Sequence, residues 1–225
     1  MFSNNLLMAA ASAGAEFGVT QTSYTPVHVV AATPANPFTI SSVDLGSDTG
    51  TKHIIIGLSL NNEPGPFSAC TIAGETATIV IEEGSGVYKQ HQAGIAIAEV
   101  SGVTSGDIVI TATTSNINGY SMSVFQMIAG SGTAFDTWGA SLAAQPTGTL
   151  DIEEGGFGLS VAQANTCYSM TWSGMTERYD ALRNPDFSHA WDFDMSAETG
   201  RTITATPGNS PTQRVGIGAS FGPAS

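Results

Sequence analysis

Three short marks recur in the same order along this chain, and a strand-and-turn plan stated twice constrains the fold to an architecture built twice. Gly57-Leu58-Ser59 returns as Gly158-Leu159-Ser160, and Gly74-Glu75-Thr76 returns as Gly174-Met175-Thr176. Gly106-Asp107-Ile108-Val109-Ile110-Thr111-Ala112-Thr113 returns as Gly200-Arg201-Thr202-Ile203-Thr204-Ala205-Thr206. The two cysteines, Cys70 and Cys167, each fall between the first and second marks of a copy. No catalytic motif accompanies either copy, so the repeat speaks for architecture before chemistry.

The punctuation of the chain says what that architecture is made of. Short apolar runs are separated by clusters of Gly, Pro, Asn and Ser, with 26 glycines in 225 residues. Charged residues are only 11%, against roughly 25% in an ordinary globular protein. His53 to Leu60 is β-branched and continuously apolar, the pattern of a central strand buried on both faces. Ala93 to Val100 alternates with Ile95 and Ile97 on one face, and Tyr120 to Ile128 alternates with Tyr120, Met122, Val124, Gln126 and Ile128 on one face. Phe187 to Met195 alternates with His189, Trp191, Phe193 and Met195 on one face. About fourteen strands and no long helix are expected. The fold class is therefore all-β: an antiparallel β-sandwich of jelly-roll or Greek-key type, with internal duplication. It would occupy residues 18–225, or alternatively two small sandwiches over 37–131 and 132–225, each near the length of a seven-strand domain.

Charge narrows the partners. The net charge is −13, and Lys52, Lys89, Arg178, Arg183, Arg201 and Arg214 are scattered. Nucleic acid and anionic membrane surfaces both ask for a basic patch, so neither is expected as a partner. No apolar run approaches the roughly 20 residues of a membrane-spanning helix. Cys70 and Cys167 would bridge if the halves stacked suitably, but two buried free thiols are the plainer reading, and zinc lacks ligands at suitable spacing.

The remaining candidate chemistry resolves mostly into structure. His28, His53, His91 and His189 are dispersed, and Ser59 and Ser160 lie inside apolar strands rather than at a nucleophile elbow. Asp192 and Asp194, with Asp186 and Glu198 nearby, would suit calcium, yet no ligand loop accompanies them and a solvated strand face is the simpler account. Glu82-Glu83 and Glu153-Glu154 sit beside Gly in turns, where acids serve solubility. No enzyme activity, catalytic residue, metal or cofactor is expected.

Two segments remain. Leu6 to Ala11, followed by small residues, looks like a signal peptide's apolar stretch, but no Lys or Arg precedes it. Residues 1–17 read instead as an N-terminal docking arm with Phe2, Leu6, Leu7 and Met8 as its anchor, and a short helix over 4–13. Thr171 to Asp180 is the densest polar-aromatic stretch. Glu177, Arg178 and Asp180 would form an ion pair that pins a loop, or Trp172, Tyr179 and Trp191, with Trp138, would form an aromatic platform for a sugar.

That stretch also carries a resemblance. Tail, fibre and other virion-surface proteins of tailed bacteriophages show a similar order of marks. In this chain these are Leu45-Gly46, the strand His53 to Leu60, the hairpin Thr71-Ile72-Ala73-Gly74-Glu75-Thr76-Ala77, the strand Gly106 to Thr111, the block Trp172 to Asp180, and Thr202-Ile203-Thr204-Ala205-Thr206. Ala73 stands where a second Gly is common. The resemblance spans residues 38–222, and the Trp172–Asp180 block is its distinctive part. It implies a non-enzymatic structural component of a phage virion: a capsid decoration, fibre or minor tail protein that docks through the arm. Its partners would be capsid or tail subunits and further copies of itself, with edge strands open to β-augmentation. The rival expectation is a β-sandwich module that binds carbohydrate or a host receptor.

Overall fold

The computed structural model describes residues 16–29, 36–61, 67–85, 91–113, 119–141, 145–165, 167, 169–180 and 186–224. Among these there is no helix. The anchor residues Phe2, Leu6, Leu7 and Met8, and the helix expected over 4–13, lie outside the described residues.

The strands are β1 (Gly18–Val29), β2 (Phe38–Asp44), β3 (Lys52–Asn61), β4 (Phe67–Ile72), β5 (Glu75–Thr76), β6 (Thr78–Ser85), β7 (His91–Val100), β8 (Ser105–Ala112) and β9 (Gly119–Ile128). They continue as β10 (Asp136–Ser141), β11 (Thr147–Ile152), β12 (Gly156–Ala164), β13 (Met170–Ser173), β14 (Glu177–Asp180), β15 (Asp186–Met195), β16 (Glu198–Pro207) and β17 (Arg214–Phe221). They form four sheets, ordered β2-β8-β4-β5, β1-β9-β3-β7-β6, β10-β17-β12-β15-β14 and β11-β16-β13. Every ladder between them is antiparallel.

The order of the second pair of sheets repeats that of the first. β10, β17, β12, β15 and β14 stand where β1, β9, β3, β7 and β6 stand, and β11, β16 and β13 stand where β2, β8 and β4 stand. In each copy the first strand pairs with the last, and the second with the next to last. An antiparallel ribbon rolled upon itself produces this nesting.

Side-chain alternation stacks the four sheets as layers. On β3, Ile54, Ile56, Leu58 and Leu60 face the first outer sheet, where they meet Phe38, Cys70, Ile72, Ile108 and Ile110. Ile55 faces the other way, into a second core with Ile95, Ile97 and Phe125. That core also holds Phe157, Leu159, Val161, Trp191, Val215, Ile217 and Phe221 from the second copy. Leu150, Ile152, Met170, Ile203 and Ala205 then close the far side of the second copy. The two inner sheets thus lie face to face, and β3 is buried on both sides, as its unbroken apolar run implies. Cys70 and Cys167 are free and buried in different cores.

The duplication is real in topology, but two of the three sequence marks are out of phase. A Cβ on Gly57 would point into the seam between inner sheets, 2.9 Å from Val161 Cγ2. A Cβ on Gly158 would point into its own sandwich, 2.8 Å from Met175 Cε. Likewise Ile108 and Ile110 are buried on β8, whereas the Gly106/Gly200 match would pair them with Thr202 and Thr204 rather than with the buried Ile203 and Ala205. A one-residue slip puts a side chain on the opposite face, so these matches are not structural equivalents. Only the turn mark coincides: Gly74 and Gly174 both follow the fourth strand of their copy with left-handed φ of 88° and 81°.

The close approach at Gly57 yields a test. Gly57→Val should cost about 1–3 kcal/mol by overpacking the seam, read as a lowered thermal midpoint by circular dichroism. Gly18→Ala, where a Cβ meets nothing within 4 Å, should leave the midpoint nearly unchanged.

Candidate functional site

The Trp172–Asp180 block covers the end of β13, the turn at Gly174 and β14, and several of its polar groups hold that hairpin to β15. Trp172 donates its indole N–H to Ser188 Oγ at 2.7 Å, and Ser188 Oγ donates to the Tyr179 carbonyl at 2.8 Å. Asp192 accepts from the Thr176 amide at 3.0 Å and faces Arg178 Nη2 at 3.5 Å. Arg178 Nε donates to the Trp191 carbonyl at 3.1 Å. Asp180 accepts from the Met170 amide at 2.9 Å. Arg178 thus pairs with Asp192 from β15, and not with the Glu177 or Asp180 that the sequence suggested.

The aromatic platform does not assemble. Trp191 is 5% exposed and meets Phe125 edge-on at 5.3 Å inside the seam. Trp138 is buried over Gly148, Gly216 and Gly218, whose absent side chains make room for the indole. Trp172 and Tyr179 are half-buried. Burial removes two of the four rings from any sugar-stacking surface, because alternation along β15 sends Trp191 inward with His189.

The acids and histidines are likewise distributed. Among the described residues, no three His, Cys, Asp or Glu side chains come together in a metal-binding group. Asp192 is engaged by the β14 hairpin, while Asp194, within β15, has a left-handed φ of 52° and is exposed. His189 is wholly buried in the seam, its Nδ1 3.0 Å from Ser123 Oγ and its Nε2 3.2 Å from Ser121 Oγ, both on β9. A neutral ring offers one donor and one acceptor, so it satisfies both hydroxyls at once. His91 on β7 lies 2.9 Å from Gln163 Nε2 on β12. These polar contacts bridge the two sandwiches, and nothing in the spacing of the four histidines foretold them.

The sheet edges were the other expected interaction sites. β1, β2, β6, β11 and β14 each carry a register break against their partner. Such irregularities blunt an edge against lateral pairing. β10 is the longest edge strand in unbroken register, pairing Asp136 to Ser141 with β17.

No family model, curated protein or solved structure matches this chain.

The seam histidines give the fold a signed pH dependence. Burial lowers the His189 pKa to about 3 and the His91 pKa to about 4. Both stay neutral in the folded chain where the unfolded chain, near 6.5, takes up protons. Stability is therefore full above pH 6.5 and falls as pH drops toward the folded values, by up to about 1.4 kcal/mol per histidine per pH unit. Urea unfolding at pH 7.5, 6.5 and 5.5 should show this loss before most carboxylates titrate, and His189→Gln should reduce the slope.

Proposed function

We propose that this chain is a non-enzymatic structural component of a tailed-phage virion: a capsid decoration, fibre or minor tail protein. We read the nested strand order of each copy as a jelly roll. The observation that carries the proposal is the fusion of two such sandwiches, back to back, through a face filled by Phe125, Phe157, Leu159, Val161 and Trp191. A four-layer slab of this kind is a stiff spacer with its ends and outer faces free for neighbours. Of the rings expected as a ligand platform, Trp172 donates to Ser188 and helps hold the β13–β14 hairpin, and Trp191 is buried in the seam.

The resemblance carried by the Trp172–Asp180 block supports the same reading. A low charge content and a net charge of −13 suit a part that packs among specific protein neighbours and avoids phosphate backbones. Docking falls to residues 1–17, with Phe2, Leu6, Leu7 and Met8 as the apolar anchor, and self-association multiplies a weak anchor into firm attachment. Capsid or tail subunits are the partners, and the virion is the location. Lateral strand addition, where it occurs, falls on β10.

Light scattering tests the arm. The full chain should have a mass above that of a monomer, and a Phe2→Asp, Leu6→Asp, Leu7→Asp variant should be a monomer with unchanged circular dichroism. Equal masses for the two proteins would remove the anchor from the account.

A further inference from the structure

At one end of the seam, beside the Glu153–Gly156 turn, the two sandwiches leave a cleft of about 200 Å³. Phe17, just before β1, and Val19, at its start, supply one wall. Phe157, Phe193, Asp194 and Gly155 from the second copy supply the other. Junctions between two packed units are where small-ligand sites concentrate.

Two features of this cleft are not explained by the fold. Phe193 is 37% exposed, one of two exposed large apolar side chains among the described residues. Its ring is nevertheless fixed: it stacks on Phe157 at 5.4 Å and 18°, and meets Phe125 edge-on at 6.2 Å. An immobilised aromatic ring is thus presented to solvent at a concave site. The next residue, Asp194, has φ 52° and an exposed carboxylate. Among the described residues, no Lys, Arg or His lines the cleft to neutralise it.

Aromatic faces and a carboxylate select for the same thing. The π-face of a phenyl ring is negative and attracts a cation, and the carboxylate adds a full charge. An anion meets repulsion here, from Asp194 and from the chain's net charge of −13. Among the described lining residues, a neutral sugar would find one acceptor side chain and no donor side chain. The volume admits only a small molecule.

We propose that this cleft binds a small organic cation, an ammonium group on an apolar body. The ammonium sits between Asp194 and the face of Phe193, with Phe17 and Val19 covering the apolar body. The proposal does not depend on the anchor residues Phe2, Leu6, Leu7 and Met8 or on assembly into a particle.

Benzylamine is the probe, titrated into the full chain by calorimetry. Benzyl alcohol and benzoate carry the same ring without the positive charge. Benzylamine should bind and the other two should not. Asp194→Asn should weaken it about tenfold or more, since Asn tolerates the left-handed backbone and only the charge is lost. Phe193→Ala should weaken it similarly, with thermal melts confirming that both variants fold. No binding of benzylamine, equal binding of benzyl alcohol, or binding indifferent to Asp194→Asn would each overturn the proposal.

Discussion

The face between the two inner sheets is the contact on which the rest of the molecule depends. Ile55, Ile95, Ile97 and Phe125 on one side meet Phe157, Leu159, Val161, Trp191 and Phe221 on the other. Exposed to water, either face would be a broad apolar patch of the kind monomeric proteins avoid. Buried together, each large side chain contributes about 1.5–3 kcal/mol, and neither sandwich can discard its neighbour without re-exposing its own inner sheet. Gly57 lets the sheets approach to contact distance at Val161 and Leu159. The Ser121–His189–Ser123 and His91–Gln163 contacts then select one alignment, because a shifted packing would strand buried donors and acceptors.

That seam explains why so little of the conspicuous chemistry in this chain is available to a ligand. Trp191 and His189 lie on the inward face of β15 because alternation sends them there with Phe193. The outward face of the same strand holds Ser188 and Asp192, which grip the β13–β14 hairpin through Trp172, Thr176 and Arg178. One strand thus fastens the second sandwich to the first and fastens its own peripheral hairpin. At the end of the seam, beside the left-handed Asp194, the Phe193 ring emerges. The molecule's stiffness and the cleft at Phe193 have a common origin.

Much of this was legible in the residues. The β-branched run of β3, the Ile95/Ile97 alternation of β7 and the Tyr120/Met122/Val124 alternation of β9 each pointed to the correct faces. The duplication was legible too, though for a partly mistaken reason. Gly57-Leu58-Ser59 and Gly158-Leu159-Ser160 look alike as letters but face opposite ways, since strand phase is a matter of single residues. Met195 illustrates the same limit. Simple alternation places it with Trp191 and Phe193, yet the register break between Gly156 and Gly158 and the left-handed Asp194 turn it into the opposite core. The structural burial of Lys52 was equally hidden: its ammonium donates to the Gly46 and Asp48 carbonyls, a loop contact that no local pattern encodes.

If the seam makes the two sandwiches one body, they must unfold together. Scanning calorimetry of the full chain addresses this directly, because the ratio of van't Hoff to calorimetric enthalpy counts cooperative units. The account predicts a single endotherm with a ratio near one, lowered as a whole by Phe125→Ala. Two resolved transitions, or a single sandwich melting alone when Phe125 is truncated, would contradict it.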